Sequence, residues 1–403
     1  MSEPKVREST LSFNFNEQMY ESAGELPTMY RALNLAPRTG HPYWIYEAIQ
    51  RQPELVRESI ETIPEAAEKI AEAFMDGGKK RILLSGIGAS YHLAACAAHV
   101  LWNVAGIPCE FVESSEGLLS DIPWDYPNLM FFGLSASGNS KETVEHALLA
   151  KQNGAFVVSM TNLDHTRLTA AADISYVAPG GYGLVWDLTT RLAPFAYLAS
   201  ELALRLGKHK EDILALRAAL TQIPYQMTST LKAIDGVCRR VGVSLQSRRS
   251  VVIPASGNLL PVAWEMALRF EEMAHYPAKG RPVVDFLHGG VGYVAENIAT
   301  VVMAAPGKTY SYSQRLAQVT QTLKTPCIAV VSEEDEQIAP LGDEVIRIPE
   351  THPALRPLLY LLPAQLIPYY TEVARPGGNP DAQQTDQPKY ARAFDVAYPP
   401  KSH

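Results

Sequence analysis

From Arg81 onward the chain falls into short apolar runs, each followed by a longer stretch in which apolar residues recur every three or four positions. RILLSGI (81–87) reads as a buried strand, and ASYHLAACAAHVLWNVA (89–105) as the helix that follows it. CEFVES, NLMFFGLS, FVVSMTN and ISYVAP are further strands, separated by helical runs such as KETVEHALLAKQNG. Strands alternating with helices of about 10 to 15 residues predict a parallel sheet covered by helices on both faces. Upstream, residues 42–74 carry helical spacing, with breaks expected near Pro53 and Pro64 because proline lacks the N–H a helix needs. Residues 1 to about 40 have no periodicity and are expected to run over the surface.

KEDILALRAALTQIPYQMTSTLKAI (210–234) is helical throughout, and after it the rhythm restarts. SVVIPASG, ATVVMAAPG, TPCIAVVS and EVIRIPE are strands. NLLPVAWEMALRFEEM, SYSQRLAQVTQTL and the segment from His352 to Val373 are helices. The pattern predicts an α/β protein of two similar lobes with the same strand order, a duplication at the level of fold. Its divisions are an N-terminal extension with helices (1–75), a first lobe (76–208), a helical connector (209–234), a second lobe (235–374) and a C-terminal tail (375–403).

Composition narrows the chemistry. The 403 residues are 47% hydrophobic and 19% charged, as in folded globular chains, and carry a net charge of −8. A nucleic-acid partner would call for a basic stripe, and the arginines at 239, 240, 248 and 249 are split by a hydrophobic segment and read as a solvated helix end. The four cysteines are scattered without the spacing of a metal site or a disulfide framework, which implies buried thiols in a reducing compartment. No apolar run reaches the roughly 20 residues that span a bilayer, and MSEPKVREST is not a signal peptide. The expectation is a cytoplasmic protein without membrane or nucleic-acid partners, and without metal or redox cofactor.

The sharpest local signal is LSASGNSKET (134–143), directly after a strand and opening into a helix. Ser135, Ser137 and Ser140 offer hydroxyls there, and Gly138 allows the tight turn; with helix N-terminal amides they form a donor cup for a phosphate. A serine–glycine turn with an N-cap is the ordinary alternative. A second hydroxyl loop, SGIGASY (85–91), ends the first strand, and it brings Ser85 and Ser90 to the carboxyl edge where such sheets bind ligands.

LSASGNSKET resembles the signature of the SIS (sugar isomerase) family, and from about Tyr43 onward the chain is similar to the isomerase half of glucosamine-6-phosphate synthases. NLLPVAWEMALRFEE resembles that family's long second-lobe helix, with Pro261, Glu265, Ala267, Leu268 and Glu272 at matching positions. FLHGG (286–290) resembles its LKHGP turn. The resemblance implies a phosphosugar substrate held by Ser90, Ser135, Ser137 and Ser140, with backbone from Ala89 and Ala136. It implies Glu272 as the base that moves a proton between sugar carbons 1 and 2, with Glu271 a solvated neighbour. It implies His288 as the ring-opening residue lent to a neighbouring subunit, hence a homodimer or higher homo-oligomer. Departures are Arg269 for the family's lysine, HGG for HGP, and Ala393 for a tail lysine, with Lys389 and Arg392 nearby. Arg269, Thr189, Arg392 and Lys389 are candidate sugar contacts. Ser2 replaces an N-terminal cysteine, and the chain is expected to lack a glutaminase domain.

Three functions fit: an isomerase or deaminase of an aldose or amino-sugar 6-phosphate, a deglycase of a fructosyl-amine 6-phosphate, or a regulatory protein that binds a sugar phosphate without chemistry. Glu272 and His288 argue against the last. GGYGLVWDLTTR (180–191) separates the first two, with Tyr182 and Trp186 expected to shape the space beyond carbon 2. The isomerase or deaminase stands first.

Overall fold

The computed structural model describes residues 35–120, 122–181, 183, 185–382 and 388–397. Its first lobe runs β1 (Arg81–Gly86), α2 (Ala89–Ala105), β2 (Cys109–Glu113), α3 (Ser114–Leu119), β3 (Leu129–Leu134), α4 (Lys141–Gln152), β4 (Phe156–Thr161), α5 (Arg167–Ala171) and β5 (Ile174–Val177). Ahead of it lies α1 (Trp44–Asp76), and behind it α6 (Trp186–Arg205) and α7 (Lys210–Leu245). The second lobe holds β6 (Ser250–Ala255), α8 (Leu260–Met273), β7 (Ala278–Pro282), α9 (Val283–Asp285), β8 (Ile298–Met303), α10 (Tyr310–Leu323), β9 (Cys327–Ser332) and β10 (Glu344–Ile348). It ends in α11 (Arg356–Ala374), and α12 (Pro388–Ala397) lies beyond.

Each lobe is a five-stranded parallel sheet, ordered β2-β1-β3-β4-β5 and β10-β9-β8-β6-β7. Counted from its own first strand, the second order is the first one read backwards, so the duplication holds at the level of topology. Strands β3, β6, β8 and β9 are buried along their whole length, which is why they read as unbroken apolar runs. One large core joins the inner faces of both sheets through α1, α2, α6, α7, α8 and α11. Smaller cores lie on the outer face of each sheet.

The structure departs from these expectations at three points. α1 is one helix of 33 residues that passes through Pro53 and Pro64. Proline at 53 has no N–H to give the carbonyl of Ile49, and the buried Gln52 amide donates to that oxygen instead, at 3.1 Å. β7, AKGRP, was not foreseen: Lys, Gly, Arg and Pro are poor strand formers, and pairing to β6 at the sheet edge overrides them. α7 also runs past residue 234, because Ile234, Cys238, Val241 and Leu245 keep the buried spacing of three and four. All four cysteines are buried free thiols.

Candidate functional site

The loops after β1 and β3 lie side by side, since these strands are paired up to Gly86 and Leu134. Strand order reverses here, which makes the gap a natural crevice at the carboxyl edge of the sheet. Ser135 and Ser137 are only 2% and 4% exposed. The Ser135 hydroxyl lies 3.0 Å from that of Ser140, the N-cap residue of α4, and 3.4 Å from that of Ser137. The amides of Gly138 and Asn139 donate to Ser135 and Ser137 at 3.1 and 3.2 Å. Gly138 has φ +66°, and a Cβ there would stand 2.2 Å from the Thr166 hydroxyl, so only glycine closes this turn.

Ser90 stands in the first turn of α2, just past the neighbouring β1, with Ala89 half-buried beside it. A Cβ on Gly86 would meet the Ser90 backbone at 2.7 Å, so that glycine lets the two come together. Ala136 is half-buried, and its carbonyl accepts from the Asn162 amide at 2.9 Å. Ser85 does not join them. It points into the lobe, where its hydroxyl lies 2.9 Å from both Ser114 and the Nδ1 of the buried His146.

The second lobe brings α8 against α2. His92, two residues beyond Ser90, is bonded through Nδ1 to the fully buried Glu265 at 2.8 Å. Arg269 donates to Glu265 at 2.7 Å and to Glu272 at 2.6 Å, so one guanidinium spans the two carboxylates. Burial opposes the Glu265 charge, but Arg269 and His92 together overcome it and hold the carboxyl down at about 2. Glu272 is different. Its side chain is 51% exposed, and desolvation by the surrounding groups pushes its pKa up against the pull of Arg269. Glu271 faces solvent.

Other expected positions fall elsewhere. Arg269 is committed to its carboxylates and reaches the cleft only through Glu272. The Thr189 hydroxyl is buried and donates to Gln52 at 3.0 Å, which corrects its reading as a sugar contact. Trp186 is buried as well, its indole N–H on the Gly181 carbonyl at 3.2 Å, so it braces the loop from within and does not line an open pocket. Tyr182 lies outside the described residues. His288 is exposed on the π-helical turn Phe286–Gly290 and has no hydrogen-bond partner among the described residues. Lys389 and Arg392 are exposed on α12, the Lys389 ammonium over the ring of Tyr390.

Three members of the cluster were not singled out in the sequence. Arg191, fully buried on α6, donates to the Ser90 hydroxyl at 3.2 Å and to the Asp187 carbonyl at 2.8 Å. The buried Asp187 carboxylate accepts from the Gly183 amide at 2.8 Å. Burial pushes its pKa up to about 7, against the pull of Arg191, the Gly183 amide and Arg269. The third is His92. Among the described residues no group of His, Cys, Asp and Glu is placed to hold a metal ion, and no helix is long and apolar enough to cross a membrane.

Residues 78–181 and 244–374, more than half of the chain, match the SIS domain model, and the chain belongs to that family of phosphosugar-binding domains. It is 26% identical over 366 residues to the isomerizing glutamine–fructose-6-phosphate aminotransferase of Pyrococcus horikoshii, covering 89% of this chain and 59% of that protein. It thus spans about three-fifths of such relatives. The C-terminal domain of glucosamine-fructose-6-phosphate aminotransferase from Francisella tularensis superposes with a TM-score of 0.74 at 20% identity, over 83% of this chain and 97% of that one. A glucosamine-6-phosphate deaminase from Thermotoga maritima does so with a TM-score of 0.62 at 20% identity, over 83% and 98%. These structural likenesses establish the fold.

Proposed function

We propose that the chain is an aldose–ketose isomerase or deaminase of a hexose or aminohexose 6-phosphate. The observation that supports it is the junction of two unlike halves: the hydroxyl cup of the first lobe meets the carboxylate-bearing α8 of the second across the His92–Glu265 bond. Ser90, Ser135, Ser137 and Ser140 hold the phosphate with the loop backbone at Ala89 and Ala136. Glu272, its pKa raised toward that of a useful base, removes the proton from sugar carbon 2. The electron pair left on that carbon forms the enediol as the carbonyl oxygen of carbon 1 takes a proton. Return of the first proton to carbon 1 and loss of the other from the carbon-2 hydroxyl yield the ketose. With an amine on carbon 2 the same shift gives a ketimine, which water hydrolyses to ketose and ammonia.

His288 opens the sugar ring in a neighbouring subunit, so the working form is a homodimer or larger. Its exposure on the π turn agrees with a role outside its own lobe. Lys389 and Arg392 on α12 are held in reserve as cations for the sugar. The test is a panel of hexose, aminohexose and fructosyl-amine 6-phosphates, followed for ketose, ammonia and amine release. Ketose formation or ammonia release supports the reading. Amine release from fructosyl-amines alone converts it to a deglycase, and no turnover of any member overturns it.

A further inference from the structure

Most of the phosphate cup is neutral, built of serine hydroxyls and backbone amides. Behind Ser90, however, stands a guanidinium. Arg191 is wholly buried, and its position is fixed from its own helix by the bond from its Nε to the Asp187 carbonyl one turn back. One terminal nitrogen donates to the Ser90 hydroxyl oxygen at 3.2 Å. Arginine only donates hydrogen bonds, so Ser90 must accept this one, and its single proton is left to point away from Arg191. The hydroxyl is therefore left as a donor toward whatever lies on its side away from Arg191.

We propose that Arg191 is a positioning residue of the phosphate cup: it sets Ser90 as a hydrogen-bond donor and places a permanent positive charge behind the phosphate. Asp187, one turn back on the same helix, tempers that charge. A guanidinium keeps its charge at every working pH, and in a buried setting its field is screened far less than at the surface. The cup is then selective for a dianion over an uncharged sugar, a property that hydroxyls alone supply weakly. This inference rests on the sugar-phosphate reading above and assigns a residue that the cup of serines does not require.

The experiment is calorimetric titration of inorganic phosphate into the full chain, wild type against Arg191→Gln, Arg191→Lys and the Ser135→Ala/Ser137→Ala double variant. Arg191→Gln should weaken phosphate binding about tenfold or more, with KM for a turned-over phosphosugar rising in parallel while kcat changes little. A purely structural role would instead lower thermal stability and kcat together. Arg191→Lys keeps the charge but cannot span both Ser90 and the Asp187 carbonyl, so it should lose about threefold; it also serves if the glutamine variant does not fold, and wild-type affinity in it would remove the orienting role. If the serine variant loses phosphate and Arg191→Gln does not, this inference fails and the sugar-phosphate reading stands. If the wild type does not bind phosphate at all, the reading itself falls.

Discussion

The two lobes share one strand order, yet the first gathers three mutually bonded serine hydroxyls at the point where that order reverses. In the first lobe the loop after β3 is SASGNS, its serine hydroxyls turned toward each other. The matching loop after β8 is AAPGKT, and α11 stops it up: Arg356 donates to the Pro306 carbonyl and Tyr360 to the Ala304 carbonyl, each at 2.7 Å. Asn258, in the loop after β6, donates to the Pro353 carbonyl, also at 2.7 Å. The second lobe has therefore spent its crevice on packing, and it contributes α8 with Glu272 in its place. The difference shows that topology provides a position for a site, while loop chemistry decides whether the position is used.

The sharpest way to break this division of labour is at Glu272. Glu272→Gln should lower kcat by about 10²–10⁴ with little change in substrate affinity, the usual contribution of a placed general base. Glu271→Gln should be near neutral, because adjacent helix positions point about 100° apart. Loss of deuterium exchange at carbon 1 or 2 only in the Glu272 variant would support the assignment. If Glu271→Gln does the damage, the register taken over from the family is wrong.

The fold was legible because its signal is local. Buried parallel strands are continuous apolar runs, and nine of the ten can be read directly; β7 escaped because its sequence gives no sign of the β6 edge it pairs with. The cup was legible for the same reason, its three serines lying within six residues of chain. Arg191 and His92 were not, since their partners lie 101 and 173 positions away. Ser85 was misread because successive strand residues face opposite ways: it turns inward while the loop beyond it opens to the cup. Thr189 and Trp186 were placed at the site for their neighbourhood in sequence, and helical geometry turned both inward.

A second effect is on how stability depends on pH. His146 on α4 lies beneath the cup, bonded to Ser85, and burial pushes its pKa down to about 4. A folded-state pKa below the usual 6.5 means that the unfolded chain binds the proton better. Stability from this group is therefore full above about pH 6.5 and lost as the pH falls toward 4, by about 3 kcal/mol as an upper bound. Urea unfolding at several pH values should show a shallower acid loss in His146→Gln than in wild type, and equal slopes would contradict it. Smaller again is the Ser135→Ala/Ser137→Ala variant, expected to raise KM for a phosphosugar about tenfold as phosphate hydrogen bonds are lost. Unchanged KM would remove the cup from the phosphate.

The smallest effect tests the other half of the comparison. Tyr360 is buried on α11, and its hydroxyl satisfies the Ala304 carbonyl at the end of β8. Tyr360→Phe keeps the ring and its packing and removes only this donor, so the expected cost is about 1 kcal/mol of stability, the price of a buried carbonyl left short of a partner. If the second crevice is packing and nothing more, that loss should appear in urea unfolding, while KM and kcat for the phosphosugar stay at wild-type values. A tenfold rise in KM, equal to that of the serine variant, would mean that α11 shapes the ligand site as well as filling its twin. The contrast between the two readouts matters more than either alone. The same hydrogen-bonding loss, made at matching points of two matching sheets, should register as affinity in one lobe and as stability in the other.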